Sequence, residues 1–266
     1  MSDLIEGYLG KTVEGRKSRL PAKLDYLQSA TGLFLALFMW AHMLLVSSIL
    51  ISEEFMYKIT KLLEASFIFE GGNPLLVTIA ALVIFIVFIA HAGLGMRKLP
   101  GNFKQYQVMK AHAKHMNHDD TKLWFTQAGT GFAMFFLGSV HLYIIMTNSA
   151  DIGPYASSDR IWSEWMWPLY ILLLLAVELH GTIGLYRLCV KWGWFDGDNP
   201  KENRARLKKV KWGLTVFFLV LGFASLAAYM KIGIEQVNNG NVGNKYQPTA
   251  KVMEYKMPNK TIGGIA

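Results

Sequence analysis

This sequence has almost no cysteine and few charged residues. A single cysteine in 266 residues excludes an internal disulfide, and no Cys-x-x-Cys-His motif is present for covalent haem attachment. Charged residues make up 17% of the chain, below the roughly 25% that is usual in soluble domains. The chain is instead 52% apolar, with a mean hydropathy of +0.26. This balance is typical of a membrane protein.

Five uninterrupted apolar runs of 19 to 24 residues account for this composition. Each is close to the ~20 residues that a helix needs to cross a bilayer. They predict an all-α membrane protein with five transmembrane helices, at about residues 24–51, 74–97, 122–147, 162–190 and 207–232. These helices form one domain, 1–235, followed by a tail, 236–266. The first run is too long for a signal-peptide core, so we expect no cleavable signal.

Basic residues are concentrated on alternate connections. Residues 1–23 hold five Lys or Arg, residues 97–122 hold six, and residues 187–211 hold eight. Residues 52–73 hold two and residues 148–164 only one. The positive-inside rule therefore predicts a cytoplasmic N-terminus and an outer C-terminal tail. The net charge of +8 follows from this pattern, so we expect lipid rather than nucleic acid as the surroundings.

Four histidines stand alone in four of the apolar runs: His42, His91, His141 and His180. An imidazole inside a bilayer is costly, so such a residue is a candidate for a functional site. Four of them match two irons, each with two axial imidazoles, which predicts four helices bundled around two stacked haems b. A haem-free transporter with a proton relay of histidines is the alternative. Zinc fits poorly, because each pair lacks further cysteine or carboxylate ligands.

Depth along the helices predicts how these histidines pair. At ~1.5 Å per residue, His42 and His141 lie about 27–28 Å from the inner helix ends, whereas His91 and His180 lie about 9–10 Å from them. The two histidines of each pair also lie in similar sequence patterns. These patterns contain glycines, which have no side chain and so allow another group to approach the helix closely. We expect Gly32 and Gly131 either to make room for the edge of the inner haem or to form helix contacts. The patterns are Gln28-x2-Thr31-Gly32-x9-His42 with Gln127-x2-Thr130-Gly131-x9-His141, and His91-x3-Gly95 with His180-x3-Gly184.

Two glutamates are candidates for proton transfer. Glu178 lies within a span but ~200° around the helix from His180, so it faces another direction. It is either a neutral acid bonded to a neighbouring helix or a proton carrier. Glu64, in an outer loop that is both acidic and apolar, either accepts protons from a quinol or is merely solvated.

Polar residues at the inner interface could bond haem propionates or could be ordinary interface anchors. Three further histidines lie on an inner connection, where a partner-facing loop is favoured over a metal site. The interface residues are Gln28, Ser29, Arg97, Trp124, Arg187 and Lys191, and the three histidines are His112, His115 and His118.

From about Leu20 to Met230 the chain closely resembles the dihaem cytochrome b membrane subunits of quinol:fumarate reductases, which have five helices and two haems. The resemblance is carried by long stretches. They are residues 21–25, 28–34, 67–72, 131–143, 163–170, 177–181 and 191–197.

This resemblance implies that His91 and His180 bind the haem nearer the cytoplasm and that His42 and His141 bind the outer one. It implies that Glu64 accepts protons from menaquinol, and that Glu178 returns protons across the membrane. Residues implied at the haem propionates are Gln28, Ser29, Trp124 and Lys191 for the inner haem and Arg160 for the outer one.

The resemblance also implies a bacterial cytoplasmic membrane, with the tail in the periplasm. The implied partners are a flavoprotein with FAD, where fumarate is reduced, and an iron–sulfur subunit, both on the cytoplasmic face. The residues leave open whether two heterotrimers dimerise. They also leave open a succinate:menaquinone reductase that works in the opposite direction, and a cytochrome b anchor of a hydrogenase or formate dehydrogenase.

Overall fold

The computed structural model describes residues 19–248, and the first part of the N-terminal arm and the end of the tail lie outside this range. The described chain is helical, with eight α-helices and one 3₁₀ turn, Ser47–Leu50. The helices are α1 (Leu20–Val46), α2 (Glu53–Leu63), α3 (Pro74–Met96), α4 (Phe103–Met116), α5 (Asp119–Thr147), α6 (Pro154–Trp162), α7 (Trp167–Trp192) and α8 (Pro200–Asn238).

Five of these helices are long and apolar enough to cross a membrane, which confirms the predicted fold class: α1 with its 3₁₀ extension, α3, α5, α7 and α8. Large apolar side chains point outward along them; Phe132 and Val220, for example, are 63% and 64% exposed. In a bilayer this surface meets lipid tails. The end where α1 begins is called inner below, after the predicted orientation.

Four of the spans form a ring. α1 contacts α3, α3 contacts α5, α5 contacts α7, and α7 closes the ring on α1. Helices α1 and α5 therefore face each other across one diagonal, and α3 and α7 across the other. The fifth span, α8, packs outside the ring against α7 and α1.

Short helices cover the outer end of the bundle. α2 lies in the outer connection that is both acidic and apolar, and Ser52 caps it by accepting a hydrogen bond from the Phe55 backbone N–H at 3.0 Å. α6 packs closely on α8 at Gly233, where the lack of a side chain permits the contact. A Cβ on Gly233 would lie 2.7 Å from the Ser158 carbonyl oxygen. Apolar residues of these helices and the 3₁₀ turn form a buried cluster with Leu226, Tyr229 and Ile232 of α8.

The ranges of two helices differ most from those that the apolar runs predict. α7 begins at Trp167 rather than near 162, because a turn with Trp165 in a left-handed conformation (φ +58°) separates it from α6. α8 extends from Pro200 to Asn238 rather than from about 207 to 232. Its first turns are polar and are capped by Asn199, so hydropathy alone does not reveal them.

Candidate functional site

The inner pair of histidines meets across one diagonal of the ring. His91 of α3 and His180 of α7 have ring centroids 6.3 Å apart, with ring planes at 89°. The Nδ1 atom of His91 lies 3.1 Å from the Thr31 hydroxyl, and that of His180 lies 2.8 Å from the Gln127 backbone oxygen. A hydrogen bond from Nδ1–H leaves Nε2 free to bind a metal.

Two glycines provide the space that these rings occupy. A Cβ on Gly32 would lie 2.8 Å from Cε1 of His91, and one on Gly131 would lie 2.7 Å from Cε1 of His180. Neither distance can be tolerated without movement of the ring. The structure adds a contact that the spacing did not indicate, and the expectation that these glycines admit the edge of a haem stays a prediction. They admit the imidazoles themselves, although both also line the cavity next to the pair.

A cavity of about 580 Å³ opens between the inner histidines and the inner end of the bundle. This volume is within the ~300–1,000 Å³ of typical cofactor pockets. Its wall is mostly apolar, with polar groups at the inner end. The polar residues that line it include Gln28, Ser29, Lys98, Trp124, Gln127, Arg187 and Lys191.

At the inner end of this cavity, cations gather around the Asp25 carboxylate, and a second carboxylate, Asp120, lines the wall and pairs with Lys208 at 3.0 Å. Asp25 forms ion pairs with Arg97, with Lys98 at 2.9 Å and with Lys191 at 3.5 Å. Lys98 and Lys191 line the cavity, whereas Arg97 does not. Sequence reasoning missed Lys98, although its position directly after Arg97 at the end of α3 was a usable signal. Lys98 lies just beyond the end of its span. Burial lowers the pKa of its ammonium group, and the nearby Asp25 carboxylate opposes this shift.

The outer pair of histidines meets across the other diagonal. His42 of α1 and His141 of α5 have ring centroids 6.1 Å apart, with ring planes at 57°. Phe38 stacks on His42 at 5.8 Å, and Tyr170 meets His141 edge-on at 5.6 Å. The buried Nδ1 atom of His141 has no hydrogen-bond partner among the described residues. A buried polar atom of this kind calls for a ligand or water.

These separations suit an iron held between two imidazoles. An imidazole nitrogen lies about 2 Å from its metal, so rings on opposite sides of one iron have centroids about 6 Å apart. The structure has 6.1 and 6.3 Å. The structure also brings together the same histidines that their depth along the helices predicts to be partners, His42 with His141 and His91 with His180. The donor set therefore fits two bis-imidazole irons, and ligation itself stays a prediction.

Arg160 lies on α6, away from the inner cavity. It is buried, and its Nη2 donates to the Asp151 backbone oxygen at 2.9 Å. It lines a polar cavity of about 390 Å³ that Ile144, one turn after His141, also borders. The tail contributes Gly243 to this wall, and its backbone N–H donates to Asp159 Oδ2 at 2.8 Å.

Glu64 ends helix α2 at the outer side and is only 2% exposed. Its Oε2 accepts a hydrogen bond from Lys61 Nζ at 2.7 Å. Gly72, with a positive φ of +86°, lies against the carboxylate; a Cβ there would be 2.5 Å from Oε2. The neighbouring Phe67 and Ile68 are 73% and 68% exposed. A buried carboxylate thus lies beside an apolar surface.

Glu178 lies between α7 and α8 and is fully buried. Neither of its carboxylate oxygens has a hydrogen-bond partner among the described residues. One turn further along α7, the Thr182 hydroxyl donates to the Glu178 backbone oxygen and lies 2.7 Å from the Thr215 hydroxyl of α8. The structure therefore gives the Glu178 carboxyl no hydrogen-bond partner on a neighbouring helix within the described chain.

The three histidines of the inner connection do not form a metal site. His112 and His115 lie on the exposed helix α4, and His118 caps α5 by accepting a hydrogen bond from the Asp120 backbone N–H at 3.2 Å. No group of three or more potential metal ligands occurs between residues 19 and 248.

The fold defines a helical membrane protein with five spans and two pairs of facing histidines in its core. The family described as succinate dehydrogenase/fumarate reductase transmembrane subunit matches residues 104–222. The fumarate reductase cytochrome b subunit of Wolinella succinogenes is 58% identical over 243 residues, which cover 91% of this chain and 94% of that protein. The corresponding subunit of Helicobacter pylori strain 26695 is 53% identical over 238 residues, with 90% and 92% coverage. The chain belongs to the family of fumarate reductase cytochrome b subunits.

Proposed function

We propose that this chain is the membrane anchor and electron-transfer subunit of a menaquinol:fumarate reductase. It oxidises menaquinol near the outer face and passes electrons through two bis-histidine haems b to partner subunits. The proposal is carried by one observation: a member of this family contains two pairs of facing histidines. The ring centroids lie 6.1 Å apart in the outer pair and 6.3 Å apart in the inner pair.

In this proposal His42 and His141 hold the outer haem, and His91 and His180 hold the inner one. When bound, the haems supply one-electron transfer, and the surrounding protein adjusts their potentials. With two imidazoles holding each iron, the haems would carry electrons rather than bind substrate. Its contribution is to hold four rings in fixed places across the bilayer.

Polar side chains at the inner cavity suit carboxylate groups of a cofactor. The ammonium of Lys191 lies 3.3 Å from the Ser29 hydroxyl, and Gln28 and Trp124 line the same space. Cationic and hydrogen-bonding groups of this kind pair well with carboxylates. We assign these four residues to the inner propionates and Arg160 to the outer haem.

Glu64 is the proposed acceptor for the protons of menaquinol. Its carboxylate is shielded from water but lies beside exposed apolar residues, where the apolar ring of a quinol can approach from the lipid. The ion pair with Lys61 keeps the carboxylate in place while the lysine remains partly exposed. This arrangement allows a proton to pass from the quinol towards water on the outer side.

Glu178 is the proposed carrier of protons across the membrane. Electrons that move from the outer to the inner side carry negative charge inward, at a cost of about 2.3 kcal/mol per charge for each 100 mV. A proton moving in the same direction cancels this charge movement. The unpartnered carboxyl of Glu178, with the Thr182–Thr215 hydroxyl pair one turn further in, offers a site where such a proton can be held.

The proposed partners are an iron–sulfur subunit and a flavoprotein with FAD, which reduces fumarate to succinate. They dock on the inner face, where α4 exposes Lys104, Lys110 and Lys114. This orientation places the N-terminus in the cytoplasm of a bacterium and the tail in the periplasm. The same complex can be assayed in the opposite direction, as a succinate:menaquinone reductase.

Purification of the complex from membranes tests this function. We expect two haems b per chain in the reduced spectrum, together with the two soluble subunits and menaquinol-dependent fumarate reduction. A preparation without haem would overturn the proposal and favour the histidine relay. Co-purification with hydrogenase or formate dehydrogenase subunits would identify a different complex.

A further inference from the structure

The two halves of the ring are built alike, but they hold their inner histidines differently. Gly32 of α1 and Gly131 of α5 each lie against an inner imidazole. The contacts of Nδ1 differ, however. His180 faces the Gln127 backbone oxygen at 2.8 Å, whereas His91 faces the Thr31 hydroxyl at 3.1 Å and also lies near the backbone of Gln28.

Threonine 130, the counterpart of Thr31 in the second half, takes no part in this contact. Its hydroxyl bonds only along its own helix, at 2.7 Å from the Thr126 oxygen and 3.2 Å from the Gln127 oxygen. The chain thus contains two threonines at equivalent positions, one on α1 and one on α5, each directly before the glycine of its motif. Only Thr31 reaches a candidate iron ligand.

The direction of the hydrogen bond at Thr31 follows from its other contacts. Its hydroxyl lies 2.8 Å from the Leu27 backbone oxygen and 3.2 Å from the Gln28 backbone oxygen. A hydroxyl has a single proton to donate, and these carbonyls can only accept it. A lone pair of Thr31 is therefore available to accept the Nδ1–H of His91, which is the tautomer that leaves Nε2 without a proton.

We infer that Thr31 is a positioning residue for His91, an inference that rests on the proposed haem ligation. Its hydroxyl fixes the tautomer and the rotation of the His91 ring, which stands at 89° to the His180 ring. A hydrogen bond to the outer nitrogen of a ligating imidazole also makes it a stronger electron donor to the metal. The stronger donor favours ferric iron, so Thr31 lowers the potential of the inner haem.

The test compares Thr31→Val, Thr31→Ser and Thr130→Val in the whole purified complex. Redox titration of the haem bands gives the potentials, and electron paramagnetic resonance of the ferric haems reports the angle between imidazole planes. His91→Ala and His42→Ala complexes show which signals belong to the inner and outer haems.

We expect Thr31→Val to raise the potential of the inner haem and to change its resonance signal. The expected size is up to about tenfold in the ferric–ferrous equilibrium, or about 59 mV for one electron. Thr31→Ser keeps the hydroxyl and is expected to restore both values. Thr130→Val is expected to leave both haems unchanged. If Thr31→Val does not assemble, Thr31→Ala removes the same hydroxyl with less bulk.

Three results would overturn the inference. An unchanged inner haem in the hydroxyl-free variants means that the contact has no effect. An equal change in Thr130→Val means that the effect comes from helix packing. A lower potential means that another acceptor, such as the nearby Gln28 backbone oxygen, binds the ring more strongly. Absence of haem from the unaltered complex would instead refute the proposed function.

Discussion

Replacement of Gly131 by alanine should disturb the inner histidine pair more than alanine at either of the other two glycines of α5. The new Cβ would lie 2.7 Å from Cε1 and 2.9 Å from Nδ1 of His180. At Gly129, two residues earlier, an added Cβ would meet nothing within 4 Å beyond the adjacent residues and backbone of its own helix. Gly129→Ala is therefore a matched control on the same helix.

The size of the effect follows from contact distances. Carbon atoms pack best at about 3.5–4.0 Å, so the His180 ring must move away by roughly 0.8–1.3 Å. Metal–ligand distances tolerate only about ±0.2 Å. Overpacking of this kind typically costs about 1–3 kcal/mol, whereas alanine recovers up to about 1 kcal/mol of helix propensity. The helix should therefore persist while the ring leaves its position.

The assay is the haem content of the purified complex, together with the redox titration of each haem. We expect Gly131→Ala to lose the inner haem or shift its potential, and to keep the outer haem. Gly129→Ala should retain both haems with their original potentials. The reasoning is refuted if Gly131→Ala binds two haems with unaltered spectra and potentials, because the ring would then have moved without consequence.

Three further substitutions test the other site residues. Glu64→Gln should abolish menaquinol oxidation while both haems remain, whereas loss of haem would indicate a structural role. His42→Ala should remove the outer haem, measured as one haem b per chain, and spare the inner one; loss of the inner haem alone would reverse the pairing. Glu178→Gln keeps the shape of the side chain but cannot carry a proton, so turnover should fall with haem content unchanged. Full turnover in that variant would make Glu178 a buried structural acid.

The spans and the proximity of the histidines follow from sequence because they depend on length and hydropathy. A run of about 20 apolar residues fixes a span, and a rise of ~1.5 Å per residue fixes the depth of each histidine within it. Such reasoning needs no knowledge of side-chain direction. It therefore places His42 at the level of His141, and the structure has their ring centroids 6.1 Å apart.

Contacts set by side-chain direction could not be predicted in this way. Nothing in the spacing shows that Thr31 reaches His91 while Thr130 bonds only along its own helix. Tyr170 of α7 meets the His141 ring of α5 edge-on, a contact that depth along the helices does not indicate. The polar first turns of α8 were missed for a related reason, because a helix that continues into water has no hydropathy signal.

The ring order of the four spans explains why the depth of the histidines suffices to pair them. Neighbouring spans run in opposite directions, so two helices that run the same way face each other across a diagonal. α1 and α5 run outward and hold His42 and His141 near their ends. α3 and α7 run inward, with His91 near the end of α3 and His180 near the middle of α7, which extends beyond the apolar run. Each diagonal thus brings one pair together at its own level, and the crossed diagonals keep the pairs apart. A histidine moved by one turn along any span would lie about 5.4 Å from its partner's level and could no longer share an iron with it.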